Sequence, residues 1–143
     1  MSTTVKTRRR RGQKLPLRSK VKPADAWNLE SLYVSDEAWE NDFASWKKKI
    51  PRYSKFQGTL GKGAKELVAC LKFDEKMDRQ AERLGTYAFL KTTEDQSNSD
   101  YQRMLGRFQH AASEGSQVAS YIRPELLSIK PSQFPRLLAD WET

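Results

Sequence analysis

Residues 101–122 read YQRMLGRFQHAASEGSQVASYI. Tyr101, Leu105, Phe108, Ala112, Gly115, Ala119 and Ile122 fall at alternating gaps of four and three, the spacing of one helix face. Met104, Ala111 and Val118 widen that face. Such a stripe needs a partner, and the preceding segment supplies one. From Ala64 to about Lys91, the residues Leu67, Leu71, Ala81, Leu84 and Ala88 form a second stripe, widened by Tyr87 and Leu90 and interrupted near Asp74. Between the two lies 92-TTEDQSNS-99, which holds no apolar residue and reads as a loop. Ser97 and Asp100 fit a capping box at the second helix start. Two long amphipathic helices joined by a short polar loop fold back as an antiparallel hairpin. Leu105 and Phe108, mid-stripe, are expected to be deeply buried in it. Lys91, beside the loop, is expected to be a surface position whose truncation changes little. Gly85, Gly106 and Gly115 lie inside these helices and read either as points of close helix approach or as tolerated residues.

Working outward, Ser35 followed by Asp36 and Glu37 signals a helix start, a hydroxyl cap with acids in the first turn. Trp39, Phe43 and Trp46 then share one face, Lys47, Lys48 and Lys49 suit the last turn, and Pro51 stops the helix. These aromatics are expected to pack only in part on the hairpin and to leave some of their surface exposed for further domains. The glycine-rich 57-QGTLGKG-63 lacks the spacing of a phosphate loop and reads as a turn. Past the hairpin, Pro124 opens a short helix, PELLSI. Pro131 and Ser132 open another that shows Phe134, Leu137, Leu138 and Trp141, with Pro135 in its first turn. The fold class expected is all-α, a helical bundle built on the hairpin.

The 143 residues, 37% of them hydrophobic, suit one domain with a modest core. The net charge of +8 is unevenly spread. Residues 1–24 hold nine of the 26 Lys and Arg and none of the 18 Asp and Glu, so the rest is close to neutral. Residues 1–20 therefore read as a disordered basic arm and 21–143 as a helical domain. Weak binding of nucleic acid through residues 6–22, or of another acidic surface, is the alternative use of that charge, in a chain acting as an independent helical interaction module. No apolar run approaches the roughly 18 residues of a membrane span. The lone Cys70 permits no internal disulfide, consistent with a cytoplasmic setting.

Catalytic and metal chemistry find few residues. Zinc takes three or four ligands from His, Cys, Asp or Glu, and this chain has one His and one Cys. His110 begins H-A-A-S-E and reads as a solvated or hydrogen-bonded side chain. Cys70, on a leucine-rich helix, reads as a small buried hydrophobe. Asp74 and Asp78, four apart with Lys and Arg around them, read as a solvated face. No catalytic, cofactor-binding or metal-ligating residue is assigned, and no cofactor is expected in this chain.

One stretch has a family look. W-N-L-E-S-L-Y-V-S-D-E-A-W, residues 27–39, resembles the W-D-L-x-x-L-Y-x-S-D-x-x-W start of the oligoendopeptidase F family, bacterial relatives of thimet oligopeptidase. The resemblance continues through 55-KFQGTLGKGAKELVACL-71 and 84-LGTYAFLKTTEDQSNSDYQ-102 to 121-YIRPELLSI-129, similar to that family's F-x-x-P-E-L-L turn. Asn28 stands where the family usually has Asp, and Val34 where Pro is common. The resemblance implies a noncatalytic N-terminal segment of a zinc metallopeptidase of oligopeptides, a fragment or truncated product without the H-E-x-x-H region. In a complete enzyme such a segment would wall the peptide channel. Its partners would be the catalytic domain of a full-length parent, or a second copy through exposed apolar surface, and oligopeptides only in the complete enzyme.

Overall fold

The computed structural model of the chain describes residues 20–139. Helix α1 spans Asp36–Lys47, α2 Ala64–Glu94, α3 Ser99–Ala119, α4 Ile122–Ser128 and α5 Phe134–Ala139. Tighter 3-10 turns at Pro23–Asp25, Leu29–Ser31, Ile50–Lys55 and Pro131–Gln133 connect or precede them. The described residues contain no strand, so the fold is all-α. Residues 1–19 and 140–143, which include all but Lys20 of the expected arm and Trp141, lie outside the described residues.

α2 and α3 form the antiparallel hairpin. The loop between them is shorter than 92-TTEDQSNS-99, because α2 continues to Glu94. The hydroxyls of Thr92 and Thr93 donate to the carbonyls of Phe89 and Leu90 at 2.7 and 2.8 Å, which carries the helix through residues with no apolar signal. The cap of α3 is Asn98 rather than Ser97. Its side-chain oxygen accepts from the amides of Asp100 (2.9 Å) and Tyr101 (3.3 Å), while Ser97 is held by the Asp95 carboxylate at 2.6 Å. A short carboxamide there reaches two free amides at once.

The buried faces are turned slightly from the expected stripes. On α2 the row is Cys70, Met77 and Leu84, seven apart, with Tyr87 and Ala88, whereas Leu71 is 39% exposed. On α3 the buried residues are Met104, Ala111 and Gly115. Leu105 and Phe108 are only half-buried, which corrects the expectation for both. The reason is that α3 packs on two neighbours, α2 and the Ile50–Lys55 turn, and so buries the side between them. Gly85 is a point of close approach: a Cβ there would lie 2.6 Å from the Phe108 ring. Gly106 faces open space, and Gly115 meets Ile50 at an ordinary 3.8 Å.

α1 lies along the hairpin as an antiparallel third helix. Ser35 caps it by accepting from the Ala38 amide at 3.1 Å, and it ends at Lys47, short of the Lys48–Pro51 stop. Trp39 and Trp46 are wholly or almost wholly buried, which corrects the expectation that they leave surface exposed, and their indole N–H groups donate to the carbonyls of Leu84 (2.9 Å) and Met77 (3.0 Å). Phe43 stacks on Trp39 at 4.9 Å, and Trp46 meets Phe108 at 5.8 Å. Arg107 closes this aromatic row from outside, 5.1 Å over Phe43 and bidentate to Glu40 at 2.6 and 2.8 Å.

Three tyrosines fasten the rest through carboxylates. Tyr33 donates to Asp42 at 2.5 Å, Tyr53 to Asp74 at 2.7 Å and Tyr87 to Asp36 at 2.7 Å. Lys91 also reaches Asp36, at 2.9 Å, and lies 4.4 Å over the Tyr101 ring with only 14% of its side chain exposed. It is therefore a joint between α1, α2 and α3, not the surface position expected. α4 begins at Ile122, two residues before Pro124, which occupies the first turn, where its missing N–H costs nothing.

Candidate functional site

Two arrangements concentrate polar chemistry. The first is a cleft of about 170 Å³ between α2 and α3, walled by Trp46, Tyr53, Met77 and the small residues Ala81, Ala112 and Gly115, with Asp74 and Asp78 at its edge. Asp74 is half-buried and accepts from Tyr53, so it belongs to no solvated face. Burial, then the Asp74 hydrogen bond, pushes the Tyr53 phenol far above its ordinary range. Burial, then the neighbouring Asp74 charge, pushes the Asp78 carboxyl upward. Asp78 itself is exposed, as expected. Cys70 is wholly buried nearby, its thiol pushed up chiefly by burial and pulled down by Tyr121.

The second joins the glycine-rich turn to α4. The Glu125 carboxylate accepts from the amides of Gly58 (2.5 Å) and Leu60 (3.4 Å). Gly58 has φ +76°, in the left-handed region, which lets the turn present both amides to one carboxylate. Leu60 is driven wholly into the core, and Ile129 packs 3.8 Å from where a Gly61 Cβ would stand. The Tyr121 hydroxyl adds a 2.6 Å bond to the Tyr53 carbonyl. Nothing in the composition of QGTLGKG or PELLSI announces that Glu125 closes on Gly58, because the partners are 67 residues apart.

Neither arrangement brings the lone cysteine and the lone histidine together. A nucleophile needs a base within hydrogen-bond reach. The imidazole of His110 is 74% exposed and sits 3.3 Å from Glu114, whereas Cys70 is wholly buried, so the structure does not bring the two together. Among the described residues no three His, Cys, Asp or Glu side chains converge as metal ligands. These residues do not fit a zinc centre, which needs such a set. No helix among the described residues is long and apolar enough to cross a membrane.

Comparison with known proteins accounts for the order of the motifs. Oligopeptidase PepF of Bacillus subtilis (strain 168) is 33% identical over 133 residues, which cover 93% of this chain. The crystal structure of oligoendopeptidase-F from Enterococcus faecium superposes with a TM-score of 0.68 and 28% identity over 73% of this chain. This chain is homologous to the N-terminal part of oligoendopeptidase F. Group B oligopeptidase PepB of Streptococcus agalactiae serotype III (strain NEM316) is 24% identical over 123 residues, 86% of the chain. No protein-family model matches the chain. The chain spans about a fifth of the length of these oligoendopeptidase F relatives.

Proposed function

We propose that this chain acts as a noncatalytic N-terminal helical segment of an oligoendopeptidase F-like zinc peptidase, walling the channel that admits oligopeptides. The observation that carries this reading is the match of 93% of the chain to only 20% of oligopeptidase PepF. The helical geometry supports it: a hairpin with α1 clasped to it by two buried indole bonds is a rigid wall, with polar groups spent on fastening rather than on chemistry. Zinc and the catalytic groups belong to the other four-fifths of such an enzyme, and a cytoplasmic location is part of the same reading.

A domain swap tests it. The stretch of Bacillus subtilis oligopeptidase PepF matched by this chain is replaced by this chain, giving a full-length enzyme. Cleavage of a nine-residue peptide within about tenfold of unaltered PepF, with a single thermal unfolding transition, is the expected result. A swapped enzyme that is soluble but does not cleave, or that unfolds in two independent steps, overturns the reading.

A further inference from the structure

The cleft between α2 and α3 is not filled by the core. Its volume of about 170 Å³ is well above the roughly 10–15 Å³ that one water needs and below the roughly 300 Å³ or more of a pocket for a drug-sized molecule. It suits a small group. It stays open because Ala81 on α2 and Ala112, Gly115 and Ala119 on α3, which line it, carry at most a methyl. Trp46, Tyr53 and Met77, all buried, complete an apolar wall.

The charge of the cleft is one-sided. Asp74 and Asp78, four residues apart, share one side of α2 and both line it, whereas no Lys, Arg or His does. Asp74 Oδ1 accepts from the Tyr53 hydroxyl at 2.7 Å. Neither carboxylate takes part in an ion pair among the described residues. Lys72, Lys76 and Arg79, near in sequence, line a separate groove, and Arg79 pairs with Glu75 at 2.6 Å. The upward push on the Asp78 carboxyl, by burial and then by the Asp74 charge, has no cation opposing it. Two carboxylates beside an apolar wall, with no counterion on the protein, repel each other, and a bound cation relieves that repulsion.

Chemistry narrows the cation. Calcium takes about six to eight oxygen ligands and magnesium a near-ideal octahedron, and among the described residues no three metal-ligating side chains converge. A bare inorganic ion also has nothing to place against the apolar wall. An alkyl-linked ammonium or guanidinium ion matches both halves of the cleft. Its head meets the carboxylates while its hydrocarbon stem lies along methionine and alanine.

We propose that this cleft binds an alkyl-linked organic cation, either a small free amine or guanidine or the side-chain head of a lysine or arginine. Asp78 and the second oxygen of Asp74 hold the head, and Met77, Ala81 and Ala112 take the stem. The site goes beyond the proposed function and lies wholly within this chain, so the chain as it stands is the material for its test.

The isotope-labelled chain is titrated with n-propylguanidinium at constant ionic strength and followed by nuclear magnetic resonance. Saturable shifts confined to the cleft, among them the Trp46 indole and Asp78 amide signals, are the expected result. Methylguanidinium should bind at least about threefold more weakly, because its shorter stem buries less apolar surface. Asp78→Asn should weaken binding at least about tenfold through the loss of a charge-assisted bond. Glu75→Gln, which removes the same charge from outside the cleft, should change it by less than about twofold. Asp78 is exposed, so its amide variant should keep the helical circular dichroism of the unsubstituted chain. A short end-blocked peptide with one internal arginine separates the two sources. Binding comparable to n-propylguanidinium assigns the site to a side chain, and clearly weaker binding assigns it to a free cation. Equal effects of the two variants, equal affinity for the two guanidinium ions, or shifts spread over the surface without saturation overturn the proposal.

Discussion

The indole N–H of Trp39 donates to the backbone carbonyl of Leu84 at 2.9 Å, and both residues are wholly buried. Seven residues along α1, Trp46 repeats the bond on Met77, seven residues back along α2. The two bonds set the antiparallel register of α1 on α2, and Gln80 confirms it midway by donating to the Asp42 carbonyl at 3.2 Å. Large aromatic rings supply the burial, and their single polar atoms fix the alignment.

Trp39→Phe is expected to cost about 1–3 kcal/mol, combining a lost buried hydrogen bond with lost ring volume. Trp27→Phe, at a position 59% exposed, should change stability by about 0.5 kcal/mol or less. Urea unfolding of the two variants checks the contrast.

Glycine substitutions inside the hairpin should separate by position. At Gly85 a Cβ would lie 2.6 and 2.9 Å from Phe108 ring atoms, so Gly85→Ala overpacks the seam. It should destabilise by about 1–3 kcal/mol less the helix-propensity gain. A Cβ at Gly106 meets nothing within 4 Å, so Gly106→Ala should stabilise by about 0.5–1 kcal/mol. Thermal midpoints that move the same way for both would refute the close approach at Gly85.

Burial ranks the next set. Met104 is 6% exposed and Leu105 half-buried, so Met104→Ala should cost about 2–4 kcal/mol and Leu105→Ala about half that. Lys91→Ala removes a largely buried cation from Asp36 and Tyr101 and should cost about 1 kcal/mol. Denaturant midpoints of the three variants give the order directly.

High pH should unfold the chain through its tyrosines. Burial and the Asp36 hydrogen bond raise the Tyr87 phenol from 10.0 to about 12, and burial is also the first cause raising Tyr33, Tyr53 and Tyr121. A pKa raised on folding means that the unfolded chain loses the proton first. The stability these groups contribute is whole below about pH 10 and is lost as pH climbs through the folded values. Absorbance at 295 nm should therefore show these phenols ionising together with unfolding, rather than gradually near pH 10.

Much of this was legible in the sequence where a local rule decides structure. Ser35 caps α1 because its hydroxyl and the first-turn acids act within four residues, and Trp39, Phe43 and Trp46 share a face by helix geometry alone. The hairpin follows from two stripes and a polar loop, and the motif order pointed to the family that the comparisons bear out. Other features depend on three bodies meeting. Leu105 yields to Met104 because α3 serves two partners at once. Asp74 and Lys91 look solvated along the chain, and only the arrival of Tyr53 and Asp36 buries them in polar joints. Leu60 sits in a glycine turn that composition marks as surface, yet Glu125 pins that turn to the core. As for a candidate site, neither the cleft nor the Glu125 latch has a signature in residue spacing.

The central claim is that this helical segment carries no peptidase chemistry of its own. Its most direct test measures zinc per chain by mass spectrometry and cleavage of a quenched nine-residue peptide by the purified chain. The account predicts well under one zinc per chain and no cleavage sensitive to a chelator. One tightly bound zinc per chain together with chelator-sensitive cleavage would contradict it.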